Sequence, residues 1–124
     1  MGSQKFAEIT ETFAYQMTSY GFWRDKSIQA FKSMSRRIAN NGVNMETNRE
    51  EDLHEFIILN GTIEGYNFVD KLIAEHEGES WVAELREWVT NHKREGMKRG
   101  SAIEAEYMVY DSVLARFEPV VGKL

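Results

Sequence analysis

Three observations predict an all-α fold, a single-domain bundle of four to five antiparallel helices. Apolar residues recur every three to four positions in five segments, the links between segments are short, and the only proline in 124 residues is Pro119. Proline removes a backbone donor and clashes with the preceding turn, so its absence upstream permits long helices, and the apolar spacing fills them. Short links favour antiparallel neighbours.

The first helix is predicted from about Gln4 to Tyr20. Phe6, Ile9, Phe13, Met17 and Tyr20 form its stripe, and Gly21 is placed to end it. Asp25 or Ser27 then caps a second helix whose inner side carries Ile28, Phe31, Met34, Ser35 and Ile38, with Asn40, Asn41 and Gly42 at its exit. The third helix is predicted to be the long one, about 48–76. Thr47 with Glu50 and Asn48 with Glu51 stand in capping-box spacing, and apolar residues continue from Leu53 to Ile73. A rival reading is a hairpin at Asn60-Gly61 after the β-favouring run Phe56 to Leu59. Nothing else in the chain supplies strands to pair with it.

Ser80 caps the fourth helix, with Trp81, Val82, Leu85, Trp88 and Val89 along one side. Residues 91–100 form a basic connector, and Ser101 with Glu104 is a capping box that opens the fifth helix. Ile103, Tyr107, Tyr110, Leu114 and Phe117 carry that helix to Pro119, and residues 119–124 are expected to fray.

The length fits one domain able to bury roughly two-thirds of its unfolded surface. The absence of cysteine excludes disulfides, thiolate metal sites and a cysteine nucleophile. No stretch nears the ~20 apolar residues that span a bilayer, and the N-terminus lacks a secretory pattern, so a soluble cytoplasmic protein without a membrane partner is expected.

Charge is strongly segregated. Residues 22–42 carry +4 and residues 91–100 carry +3, whereas residues 43–90 hold twelve acids against three bases, in a chain of net charge −5. Two basic islands on an acidic protein point to a partner met through the islands, or to neutralisation by the acidic helices. Arg24, Lys32, Arg36, Arg37, Lys98, Arg99 and Ser101 are the candidate anion or nucleic-acid contacts. Ser101 stands where a helix N-terminus favours an anion.

Catalytic and cofactor signatures are missing. The chain has no G-x-x-x-x-G-K-[ST] string and no G-x-S-x-G elbow, so no cofactor and no catalytic set are expected. Glu51 and His54 show the E-x-x-H spacing of carboxylate bundles, but the second copy such sites require is absent. Glu50, Glu51 and Asp52 are more simply read as acids complementing a helix N-terminus.

Gly61 and Gly65 lie four apart within the long helix, each at a cost of roughly 1 kcal/mol against alanine. Close approach of a second helix or a bend would account for them. With Tyr66 they form the candidate interface, which is an oligomer contact if the crossing lies between protomers. The string Asn60 to Tyr66, with Val69 and Leu72 beyond, resembles the G-x-I-x-G helical stretch of short tailed-bacteriophage proteins. That resemblance covers about fifteen residues and implies an assembly or host-interaction role, with no functional residue carried over.

The first functional expectation is a non-enzymatic helical module that binds another protein and self-associates, drawn from fifteen Phe, Trp and Tyr residues with no catalytic set. Two alternatives stand beside it. One is nucleic-acid or phosphate binding through helix two and the connector. The other is a metal-dependent carboxylate-helix enzyme using Glu51, His54 and Glu55 with Glu104 or Glu106.

Overall fold

A computed structural model describes residues 2–40, 50–92 and 98–122, with side chains from Thr12 onward. Four helices make up the described chain: α1 (Gly2–Asn40), α2 (Glu50–Glu75), α3 (Ser80–His92) and α4 (Ala102–Val121). The all-α prediction holds. Thr47, Asn48, Asn41, Gly42 and residues 93–97 lie outside the described residues, as do the side chains of Phe6 and Ile9.

The largest departure is α1. The two helices expected on either side of Gly21 are one helix of 39 residues, about 58 Å long at 1.5 Å per residue. Gly21 is not among the glycines with positive φ, which are Gly78 and Gly100, so it never takes the left-handed turn that would stop a helix. Asp25 and Ser27 accordingly sit mid-helix rather than at a cap. Packing supplies the reason. Tyr20 and Arg24, one turn apart across Gly21, both bond to Asp70 of α2 and hold the segment helical where local propensity is weak.

A Cβ at Gly21 would meet only Arg24 Nη2, at 3.8 Å. Gly21→Ala should therefore raise stability by roughly 0.5–1 kcal/mol, since alanine is the better helix former and has room. Thermal melting checks this. A lowered melting temperature would mean that Gly21 does break the helix.

The helix expected at 48–76 spans Glu50–Glu75 and is second in length to α1. Asn60-Gly61 lies inside it, so no hairpin forms there. Pro119 is also inside a helix, α4, which continues to Val121 instead of fraying at 119. In a last turn proline removes one backbone bond only, and Gly122 N still donates to Glu118 O at 2.9 Å. Of the predicted tail, residues 123–124 lie outside the described residues.

Successive helices run antiparallel. Tyr20 meets Tyr66 and Phe31 meets Phe56, so α1 and α2 oppose each other. Trp81 meets Phe117 while Trp88 meets Tyr107, so α3 opposes α4. Two reversals leave α2 and α4 parallel, as Gly61 beside Ala102 and Phe68 beside Tyr110 show. Gly78 at φ 59° and Gly100 at φ 77° make the tight turns before α3 and α4, a conformation that favours residues without Cβ.

The core lies among α2, α3 and α4. Val69, Trp81, Leu85, Tyr110, Leu114 and Phe117 are essentially fully buried, and α1 adds Tyr20 with Phe13 and Met17 packed beside it. Edge-on contacts tie the layers, with Phe117 against both Trp81 (4.8 Å) and Phe13 (5.6 Å). Ile103, which shares the helical spacing of Tyr107, Tyr110, Leu114 and Phe117, is 46% exposed, whereas those four are buried.

Candidate functional site

The middle of α1 presents two faces with different chemistry. Inward, the Tyr20 hydroxyl donates to Asp70 Oδ1 at 2.7 Å, and Arg24 Nη1 donates to the same oxygen at 3.2 Å. Asp25 accepts from Arg24 Nε at 3.2 Å, so the guanidinium joins two carboxylates. Burial is the largest single influence and opposes the Arg24 charge, but the bonds and charges of Asp70 and Asp25 together outweigh it and raise the pKa.

Outward, Phe22 and Trp23 are 58% and 44% exposed, and Tyr15 lies about two turns before them, also exposed. Large apolar rings clustered in water are the informative kind of exposure. The Arg116 guanidinium of α4 lies over the Trp23 ring, its carbon 3.3 Å from the centroid. Lys26 Nζ sits 5.1 Å from the Phe22 centroid. Both distances are within reach of cation–π attraction. Phe22, Trp23, Lys26, Ser27 and Tyr66 enclose an open recess of about 380 Å³. A narrower crevice continues from Trp23 toward α4 past Gln16, Ser112 and Val113. Among the described residues no carboxylate lines either one.

The residues singled out in the sequence fall in three places. Tyr66 lines the recess. Gly61 and Gly65 face α4 of the same chain: a Cβ on Gly61 would stand 2.7 Å from the Ala102 carbonyl carbon, and one on Gly65 2.9 Å from Val109 Cβ. Their close crossing is thus intramolecular, and both glycines are buried.

The cations are dispersed. Arg24 binds Asp70, and Arg37 pairs with the buried Asp52 at 3.4 Å. Arg36 and Lys32 are exposed on α1, with Arg36 Nε donating to the Lys32 carbonyl at 3.5 Å. Lys98 and Arg99 are exposed in a turn that packs Gly100 against His54. Ser101 is occupied as the cap of α4: its hydroxyl accepts from Glu104 N at 3.2 Å while Gly100 N donates to the Glu104 carboxylate at 3.1 Å. This capping box fills the position an anion would take.

Glu106 accepts from the Tyr110 hydroxyl, and Glu51, His54 and Glu55 are exposed on α2. Among the described residues no three His, Asp or Glu side chains stand together as metal ligands. No described helix is long and apolar enough to cross a membrane.

Phe22, Trp23, Lys26 and Arg116 were not read as a site because the expected break at Gly21 put Phe22 and Trp23 in a link. A usable signal was present: on one continuous helix this pair falls off the Phe13–Met17–Tyr20 stripe, leaving Phe22 on the solvent side with Tyr15 and Lys26.

The tyrosines carry a testable electrostatic signature. Burial raises the phenol pKa of Tyr20, Tyr66 and Tyr110, with hydrogen bonds to Asp70 and Glu106 adding to it at Tyr20 and Tyr110. An unfolded phenol releases its proton near pH 10, while these folded ones keep theirs. Stability should therefore be intact below about pH 10 and fall as pH rises beyond it. Tyrosinate absorbance should show Tyr20 and Tyr110 ionising only as the chain unfolds, and Tyr66 ionising above the ordinary phenol range. Ionisation of all five in a chain still helical by circular dichroism would contradict the burial assigned to them.

The chain matches no protein-family model, no curated protein and no solved structure.

Proposed function

We propose that this chain is a non-enzymatic helical module that binds another protein through the Phe22–Trp23 face of α1. The observation that carries the reading is the exposed aromatic pair beside a recess walled by Tyr66, outside the buried core cluster. Aromatic and arginine side chains are the usual anchors of protein interfaces, and Trp23 with Arg116 supplies both. Gly61 and Gly65 are engaged within the chain, so self-association at that crossing would require displacing α4.

The nucleic-acid alternative has less behind it. Arg24 and Arg37 are paired with carboxylates, and the overall charge of −5 opposes a polyanion.

Affinity capture from the native cell tests the reading, comparing the wild type with Phe22→Ala/Trp23→Ala. Truncating an aromatic hot spot costs about 2 kcal/mol or more, roughly thirtyfold in affinity. The expected result is a partner retained by the wild type and lost by the double variant while both melt alike. Recovery unchanged by the double variant would overturn it. Light scattering on both proteins shows whether the partner is a second copy.

A further inference from the structure

Phe22, Trp23 and Tyr66 form an apolar recess lined by Lys26, and Arg116 lines the crevice that adjoins it at Trp23 and Tyr66; among the described residues these two cations are the charged groups lining the pair, in a chain of net charge −5. From this we infer that the recess takes a short acidic segment of a partner protein, with an apolar side chain seated in the recess and a carboxylate on Arg116. The inference rests on the protein-binding reading above and adds the partner's chemistry.

Arg116 carries the geometry. At 3.3 Å from the indole centroid, its guanidinium has room only to lie flat on the Trp23 ring. Stacking uses the face of the group, while its N–H donors point outward in its own plane, where they fit a carboxylate bidentately. The ring therefore orients the fork without consuming it. Among the described residues, Asp70 accepts from Tyr20 and Arg24, Asp25 accepts from Arg24, and Glu118 is paired with Arg86. Lys26, beside Phe22, adds a second positive charge at the mouth.

A volume of about 380 Å³ lies at the small end of ligand pockets, which suits one or two anchoring side chains rather than a whole helix face. Two cations suit one or two carboxylates. A nucleic-acid strand needs cations tracking successive phosphates, and the nearest further arginine along α1, Arg24, is engaged by Asp70.

Selection of random short peptides by display against the full folded chain tests this. Parallel selections use Phe22→Ala/Trp23→Ala and Lys26→Glu/Arg116→Glu. The expected winners need Phe22 and Trp23, carry Asp or Glu beside Trp, Phe or Leu, and bind the charge-reversed variant at least about tenfold more weakly. Their affinity should also fall with added salt. Winners that need the aromatic pair but are neutral or basic would overturn the acidic inference while leaving the protein-binding reading in place. Winners indifferent to Phe22 and Trp23, or no winners, would overturn the inference. Failure of the capture experiment as well would remove the broader reading. Tighter binding of a short oligothymidylate at the same face would overturn it in favour of nucleic acid. Should the charge reversal not fold, Lys26→Gln/Arg116→Gln removes the charges alone, with the same loss of acidic preference expected.

Discussion

Gly61→Ala should lower the melting temperature, by roughly 6 °C or more, although alanine is the better helix former. The sign is decided by what the added methyl group meets. At Gly61 it would collide with the backbone of Ala102, standing 2.7 Å from the carbonyl carbon and 2.8 Å from Cα. A backbone at the start of a packed helix cannot swing aside as a long side chain can. Overpacking costs about 1–3 kcal/mol and occasionally more, against a propensity gain near 1 kcal/mol. Since α4 must retreat bodily, the upper part of that range applies, and each kcal/mol is worth roughly 3–6 °C at this chain length. Gly65→Ala should cost less, because part of its obstacle is the Val109 side chain, 2.9 Å away at Cβ. The contrast with Gly21→Ala, expected to stabilise, makes the test internal to one protein. A melting temperature raised by Gly61→Ala would show that α2 and α4 do not cross there.

Phe117→Ala should remove about 3–5 kcal/mol, the usual range for truncating a buried aromatic residue. Phe117 is 1% exposed and joins three helices, with its ring edge-on to Trp81 of α3 and to Phe13 of α1. The cost therefore combines lost burial, a cavity and two ring contacts. Urea unfolding followed by circular dichroism measures it as a lower midpoint with the slope unchanged. A loss below about 1 kcal/mol would mean that the ring is not part of the core. By comparison, Arg86 and Glu118 join in a bidentate pair that lowers the Glu118 pKa and raises that of Arg86, yet both are substantially exposed. Such a surface pair contributes little, so Arg86→Ala should move the midpoint far less than Phe117→Ala.

How much of this was legible in the sequence depended on range. The Ser101 cap on Glu104 N joins residues three apart and was readable, while the return bond from Glu104 goes to Gly100 N rather than to Ser101 N. The stripe Trp81, Val82, Leu85, Val89 was readable because a buried helix face repeats with the helix itself. Gly21 misled for the converse reason. A glycine followed by Asp25 and Ser27 has the local pattern of a stop and a restart, while the bonds of Tyr20 and Arg24 to Asp70 that override it join residues 46 and 50 positions apart. Gly61 and Gly65 signalled a close approach without naming the partner, because α4 enters only through the tertiary fold. The recess was hidden twice over. Phe22 and Trp23 fall in the link expected after Gly21, and Arg116, which lines the adjoining crevice, comes from the far end of the chain.

The three tryptophans report separately on the claim that α1 binds through its outer face. Trp81 is fully buried, Trp88 packs among Phe68, Tyr107 and Tyr110, and Trp23 lies at the recess. Nuclear magnetic resonance of the three indole N–H groups, recorded while a selected acidic peptide is added, distinguishes them directly. The Trp23 signal should move in proportion to occupancy while those of Trp81 and Trp88 hold still. A Trp23 signal that stays in place at saturating peptide, with either of the others displaced, would contradict the assignment of this face.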